Sequence, residues 1–324
     1  MARTQRLHPV SPKSSEIAAM ESRQVESAGK RNRRFKGWSP YVAMVPAGLI
    51  AAMYVGTMMW TIWISFTSSK MLPTNNFVGF QQYQRLFQDQ RWQISASNLV
   101  IYGVLFIGIS LVLGLLLAIG LDQKVRAEST LRTIFLYPQG MSFIVTGLVW
   151  QWIMNPELGI QKVAHQLGWQ SAQMDWIAKP NFAIYMLVIA GAWQATGLVM
   201  AIMLAGLRGV DSELWKAARV DGIPLWRFYL HIVIPLLKPM FVTSIVLLAV
   251  GGVKVYDLVV AMTGGGPGIS TEVPAKFVME YLFRRANIGL ATAAATVMFV
   301  TVVAVVGPWI YVEHFRRQKG RGPA

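Results

Sequence analysis

Six stretches of this chain carry almost no charge, and each is long enough to cross the ~30 Å of a bilayer's hydrocarbon. They run approximately over Tyr41–Phe66, Asn98–Leu121, Thr133–Met154, Asn181–Leu207, Met240–Met262 and Ile288–Val312. In lipid every backbone N–H and C=O must find its partner inside its own segment, so each stretch is read as a helix. The expectation is an all-α, polytopic membrane protein with six spans. Composition agrees: 54% of residues are apolar and 14% charged, against about 25% charged in soluble domains. The polar lead before the first span is too long for a signal peptide's n-region, so that span is expected to remain attached.

The distribution of Lys and Arg sets the orientation. The N-terminal tail, the connections after spans 2 and 4, and the C-terminal tail together hold 21, while the alternate connections hold eight. The richer side belongs in the cytoplasm, which places both termini inside. The net charge of +15 therefore reads as membrane-surface charge rather than a nucleic-acid footprint, since no binding-module motif accompanies it. Residues 1–40 read as a basic tail, a disordered topology determinant or an anionic-lipid anchor, ending in Lys30, Arg31, Arg33, Arg34 and Lys36. Residues 41–96 hold the first span and its outer loop, 97–312 a core of five helices with a cytoplasmic loop at 208–239, and 313–324 a second basic tail.

Several chemistries are absent. Without cysteine there is no disulfide, thiolate metal site or cysteine nucleophile. His8, His165, His231 and His314 are too dispersed for a local metal motif. No GxxxxGK[ST] phosphate loop occurs, and the run Gly264-Gly265-Gly266-Pro267-Gly268 has no lysine after it. That run is read as a flexible turn after span 5. A secondary transporter or channel is the alternative class, but five of the six spans lack the mid-membrane charges such proteins use. No set of converging acid, base or metal residues suggests a membrane enzyme.

The most informative segment is RGVDSELWKAARVDGIPLWRFYLHIVIPLLKP, Arg208 to Pro239. Asp211 and Ser212 suit a helix cap, Gly222 a left-handed stop, and Pro224 the first position of a second short helix. Leu225, Phe228, Tyr229 and Ile232 then recur at 3–4 residue spacing along one face. The combination Ala217-Ala218, Asp221-Gly222 and Ile232-x-Ile234-Pro235 resembles the EAA signature of binding-protein-dependent ABC importer permeases. The signature's glutamate position is Lys216 here, with Glu213 one turn earlier. Lys254-Val-Tyr-Asp257, the Thr263–Gly268 run and Ser270-Thr271-Glu272 are similar to the carbohydrate-importer branch. The resemblance covers roughly Trp38 to Arg317.

That resemblance implies the type I importer permease fold and a loop that couples to an ATPase through Glu213, Lys216, Ala217, Ala218, Asp221, Gly222, Ile232 and Pro235. It further implies a second, different permease, two ATPase subunits that use ATP and Mg, an extracytoplasmic sugar-binding protein, and residence in the bacterial inner membrane. The chain itself is expected to bind no cofactor and to catalyse nothing. Lys254 and Asp257 are the only charges within the spans, one turn apart near Tyr256, and Trp193-Gln194 offers an aromatic face beside an amide. These five are the candidate solute-path residues, with packing or an internal ion pair as their plainer role. Hexose, polyol and short glucoside all remain compatible.

Overall fold

The computed structural model describes residues 39–123, 125–171, 173–253 and 255–319. The basic cluster at Lys30–Lys36, the end of the C-terminal tail and Lys254 lie outside the described residues. Apart from one antiparallel bridge between Thr67 and Phe77, the described residues contain helices, turns and loops. The chain divides into two compact units, residues 1–60 and 61–324. Helix α1, Ser39–Ser65, begins in the first unit, where its described side chains are all exposed.

In the second unit a short amphipathic helix, α2 (Gln81–Gln88), precedes α3 (Gln90–Asp122). Asp89 caps α3 by accepting from the N–H groups of Arg91 and Trp92. Then come α4 (Glu128–Leu136), α5 (Phe143–Ile153), α6 (Ile160–Gln166) and α7 (Pro180–Arg208). The cytoplasmic-loop region supplies α8 (Ser212–Val220) and α9 (Leu225–Leu236). Helices α10 (Lys238–Val253), α11 (Tyr256–Met262), α12 (Pro274–Met279) and α13 (Ile288–Lys319) complete the chain.

Helix α7 is the centre of the second unit, and its most extensive partner is α3. Both are apolar around their full circumference, as helices surrounded by lipid and other helices should be. Their contact depends on close approach, the device that replaces the hydrophobic effect between helices in a membrane. A Cβ at Gly114 would stand 2.6 Å from Val199 of α7. A Cβ at Gly197 would stand 2.1 Å from the Phe135 carbonyl oxygen, so α7 also touches the backbone of α4.

Among the described residues, three helices are long and apolar enough to cross a membrane: Met44–Ser65, Gln90–Asp122 and Pro180–Arg208. Two bent pairs, Glu128–Gly140 with Phe143–Ile153 and Leu225–Leu236 with Lys238–Val253, raise this to five if each is one span. The apolar part of α13, Ile288–Ala304, is shorter. The expectation of six continuous helices therefore needs correcting at spans 3 and 5. Span 3 turns by 101°, because Tyr137–Gly140 tightens into a 3₁₀ turn and Ser142 starts α5 afresh by accepting from the Val145 N–H. Span 5 stops at Val253 and resumes at Tyr256. Irregular backbone at membrane depth persists only where protein or a polar cavity satisfies it. At span 3 that service comes from α7: Gln194 donates through Nε2 to the Met141 carbonyl at 2.8 Å.

The close approach at Gly197 has a measurable consequence. Gly197→Val should cost about 1–3 kcal/mol by overpacking and lower the thermal midpoint of the detergent-purified protein. Gly120→Ala, with open space at its Cβ position, should leave that midpoint in place.

Candidate coupling elbow and solute path

The loop between α7 and α10 folds as two short helices joined at Gly222. The Asp211 carboxylate caps α8 by accepting from the Glu213 N–H at 2.9 Å. At the other end Gly222 takes φ +65°. The Ile223 N–H reaches back to the Ala218 carbonyl at 2.9 Å, and the Gly222 N–H to that of Arg219 at 3.3 Å. This is the double closure of a Schellman stop, which an L side chain at Gly222 would strain. Pro224 sits one position before its expected place, as the cap of α9 rather than its first residue.

An aromatic clasp that sequence reasoning missed closes the elbow. Trp215 on α8 lies 4.5 Å from Phe228 and 5.5 Å from Tyr229, centroid to centroid. Phe228 is fully buried, while Tyr229 and Ile232 are half-buried. Leu225, the first residue of that face, is exposed where it opens α9 at the tip of the elbow. There it joins Val220, 87% exposed, and Trp226, with the Arg227 guanidinium 5.1 Å above the Trp226 ring. The tip is thus apolar and basic at the surface of an otherwise clasped elbow.

Of the signature residues, Ala218 is buried under the elbow, whereas Glu213, Lys216, Ala217, Asp221, Gly222 and Pro235 are exposed and Ile232 half-buried. Lys216, in the signature's glutamate position, pairs with Glu213 at 2.8 Å. Both are well exposed, so the pair adds little stability and serves to place charge on the surface. The elbow also reaches the ends of the spans. Gln123 Nε2 donates to the Tyr229 hydroxyl at 3.3 Å, and Arg208 at the end of α7 pairs with Glu128 at the start of α4.

The solute-path candidates fall in two places. Trp193, 39% exposed, meets Trp150 edge to face at 5.9 Å, and both line an apolar cavity of about 680 Å³ between α3, α4 and α7. Neighbouring Gln194 is only 3% exposed; beyond its bond to Met141 its Oε1 is buried without a partner among the described residues. Tyr256 is half-buried and Asp257 exposed on the first turn of α11, and Tyr256 lines a separate cavity with Lys276, Glu280 and Arg284. Lys254 lies outside the described residues. No group of three or more His, Cys, Asp or Glu suited to a metal occurs among the described residues.

At the opposite ends of the spans lies a second feature the sequence did not disclose. Arg91, in the first turn of α3, pairs with Glu272 at 2.8 Å, and Glu272 is fully buried. The Tyr281 hydroxyl donates to Asp89 at 2.6 Å. Burial, reinforced by that bond, pushes the Tyr281 phenol up to about 12, so it stays protonated at physiological pH. The Gly264–Gly268 run, expected to be flexible, is instead tied down through Thr263, Thr271 and this ion pair.

The family described as binding-protein-dependent transport system inner membrane component matches residues 110–319, which include the elbow and the broken fifth span. The chain belongs to this family. A probable ABC transporter permease of Pyrococcus horikoshii is 37% identical over 277 residues, covering 84% of this permease and 95% of the relative. The xylose/arabinose import permease protein of Haloferax volcanii is 32% identical over 287 residues, covering 87% and 90%. The fold matches a crystal structure of a bacterial ABC transporter involved in import of the acidic polysaccharide alginate, with TM-score 0.74 and 18% identity, covering 90% of this chain and 99% of that one. The permease is thus a multi-pass, all-α transport subunit of the inner membrane with the type I importer fold.

Gly222→Val is expected to strain the stop by about 1–2 kcal/mol and redirect α9. Membrane abundance should stay near normal while ATPase co-purification and uptake fall. Gly209→Val, at an ordinary φ of −84°, should be milder on both measures.

Proposed function

We propose that the chain is one of two different permease subunits of an ATP-driven importer that takes up a sugar, a hexose, polyol or short glucoside. Its cytoplasmic elbow seats in a groove on a separate ATPase. The observation that carries this reading is the exposed tip of Val220, Leu225 and Trp226 on a loop whose other aromatic residues are clasped together. The carbohydrate assignment draws on relatives named for xylose/arabinose, trehalose/maltose and glucose transport, together with the motif around Thr263–Glu272. ATP and Mg belong to the partner ATPase, and this chain holds no cofactor. A second permease, two ATPase copies and an extracytoplasmic binding protein complete the assembly.

Coupling follows from connectivity. Helix α9 turns by 66° into α10, so a force applied at the elbow tip reaches span 5 directly. The aromatic clasp makes α8 and α9 move together, and the Tyr229–Gln123 bond together with the Arg208–Glu128 pair carries the same displacement to spans 2, 3 and 4. Val255 is a turn residue ahead of α11, so the inner part of span 5 can tilt while α11 stays against α5, where the Gly147 Cβ position is 2.6 Å from Ala261. Differential affinity of nucleotide and of loaded binding protein for the inward- and outward-facing states then drives alternation. Glu213 and Lys216 present a paired charge at the position where the family signature has glutamate, and Glu213 supplies the acid.

Reconstitution with both permeases, the ATPase and the binding protein should give ATP-dependent uptake of at least one member of a sugar panel. Uptake that runs on an ion gradient without ATP would instead establish the secondary-transporter alternative. The purified chain alone should hydrolyse no ATP, since it lacks a phosphate loop; turnover in a preparation free of the ATPase would refute this.

A further inference from the structure

The Gly-rich connection between spans 5 and 6 is more rigid than a connection requires. Gly264, Gly265 and Gly268 all hold positive φ. Thr263 Oγ1 lies 2.7 Å from Thr271 Oγ1, and Thr271 Oγ1 donates to the Gly266 carbonyl at 2.8 Å, closing the turn from inside. From α3, Asn98 donates through Nδ2 to the carbonyls of Ser270 and Glu272 at 2.8 and 2.9 Å. Arg91 donates through Nε to buried Glu272 Oε2 at 2.9 Å. A buried ion pair is not needed to hold a loose loop, and losing one partner strands the other charge. Its effect here is to fix the turn in place relative to α3.

One wall of the fixed turn, at Thr263, Gly266 and Pro267, faces Gln151 and Asn155 at the end of α5 across a cavity of about 320 Å³ that Ile177 also lines. Ligand cavities begin at roughly 300 Å³. None of its lining residues is ionisable. The Asn155 side-chain oxygen Oδ1 accepts from the N–H groups of Glu157 and Leu158, so what the Asn155 side chain can offer a ligand is its NH₂. Amide groups recognise hydroxyls as donor and acceptor, while Ile177 and Pro267 suit the C–H face of a ring. A separate cavity, which Gly264 of the same turn lines with Lys276, Glu280 and Arg284, is of opposite character.

We propose that Gln151, Asn155 and the wall of the 263–267 turn form an outer-mouth subsite for a neutral polyhydroxylated ring. Arg91 and Glu272 are its positioning residues. This rests on the importer reading and on the orientation set by the Lys/Arg count. The subsite receives solute released from the binding protein before the spans close, and an uncharged lining discriminates against uronates and sulfonated sugars. When it is lost, released solute escapes outward and the cycle turns without transport.

The test is the sugar moved per ATP hydrolysed by the full reconstituted complex, with glucose, maltose and xylose as neutral probes and glucuronate as the acidic one. Wild type should move a neutral probe in preference to glucuronate. For Q151L/N155L that ratio should fall about tenfold, the scale of one lost hydrogen bond between neutral groups. R91M should lower it as well, with R91K recovering at least half. Chain abundance is measured in parallel, because N155L also removes the acceptor of the Glu157 and Leu158 N–H groups, and the exposed Gln151 is also changed alone, where Q151L should lower the ratio at wild-type abundance. An unchanged ratio in Q151L/N155L overturns the subsite while leaving the importer reading intact. Failure of wild type to move any neutral sugar under ATP overturns the carbohydrate reading and the subsite with it.

Discussion

Everything in this permease hangs on the contact between α3 and α7. In hydrocarbon, lipid tails compete equally for apolar side chains, so helices hold together by tight packing and by a few buried hydrogen bonds. The missing side chains at Gly114 and Gly197 let α7 approach both α3 and the backbone of α4. Val199, Met200, Met203 and Leu204 are consequently fully buried, although α7 carries no amphipathic pattern to mark one face as interior. The bends of spans 3 and 5 and the placement of the elbow are arranged around this pair.

Polar groups occur where the helices end or break, and each serves geometry. Gln194 supplies the bond that the Met141 carbonyl loses when span 3 turns. Thr196 returns its hydroxyl to the Ala192 carbonyl one turn back in α7. At the outer end Arg91, Glu272, Asp89 and Tyr281 tie the start of α3 to the connection between spans 5 and 6. At the inner end Arg208 and Glu128 join α7 to α4. The rigid outer end and the clasped inner elbow thus meet in span 5, whose interruption separates them.

Much of this was legible from one sequence. The apolar windows, the charge asymmetry and the Asp211–Pro235 motif sufficed for membrane class and family, because hydrocarbon thickness and backbone satisfaction leave few alternatives. The left-handed stop at Gly222 was readable for the same kind of reason: only local sterics decide it. The bend of span 3 had a signal in Pro138-Gln-Gly140, a pair of helix breakers inside an apolar run. Hydropathy averaged over the window hid it.

Whatever depends on a residue and its near neighbours could be read along the chain: span existence, helix caps, the turn at Gly222, and the absence of nucleotide, thiol and local metal motifs. Tertiary structure alone decided which groups separated by long stretches of chain would meet. Arg91 finds Glu272, Trp215 finds Phe228 and Tyr229, and Gln194 finds Met141. It also turned the glycine run from a flexible connection into a fixed wall, since the ion pair that restrains it joins residues 181 positions apart. Such pairings carry no periodic signal, because ion-pair and hydrogen-bond geometry depends on distance in space, which chain order leaves open.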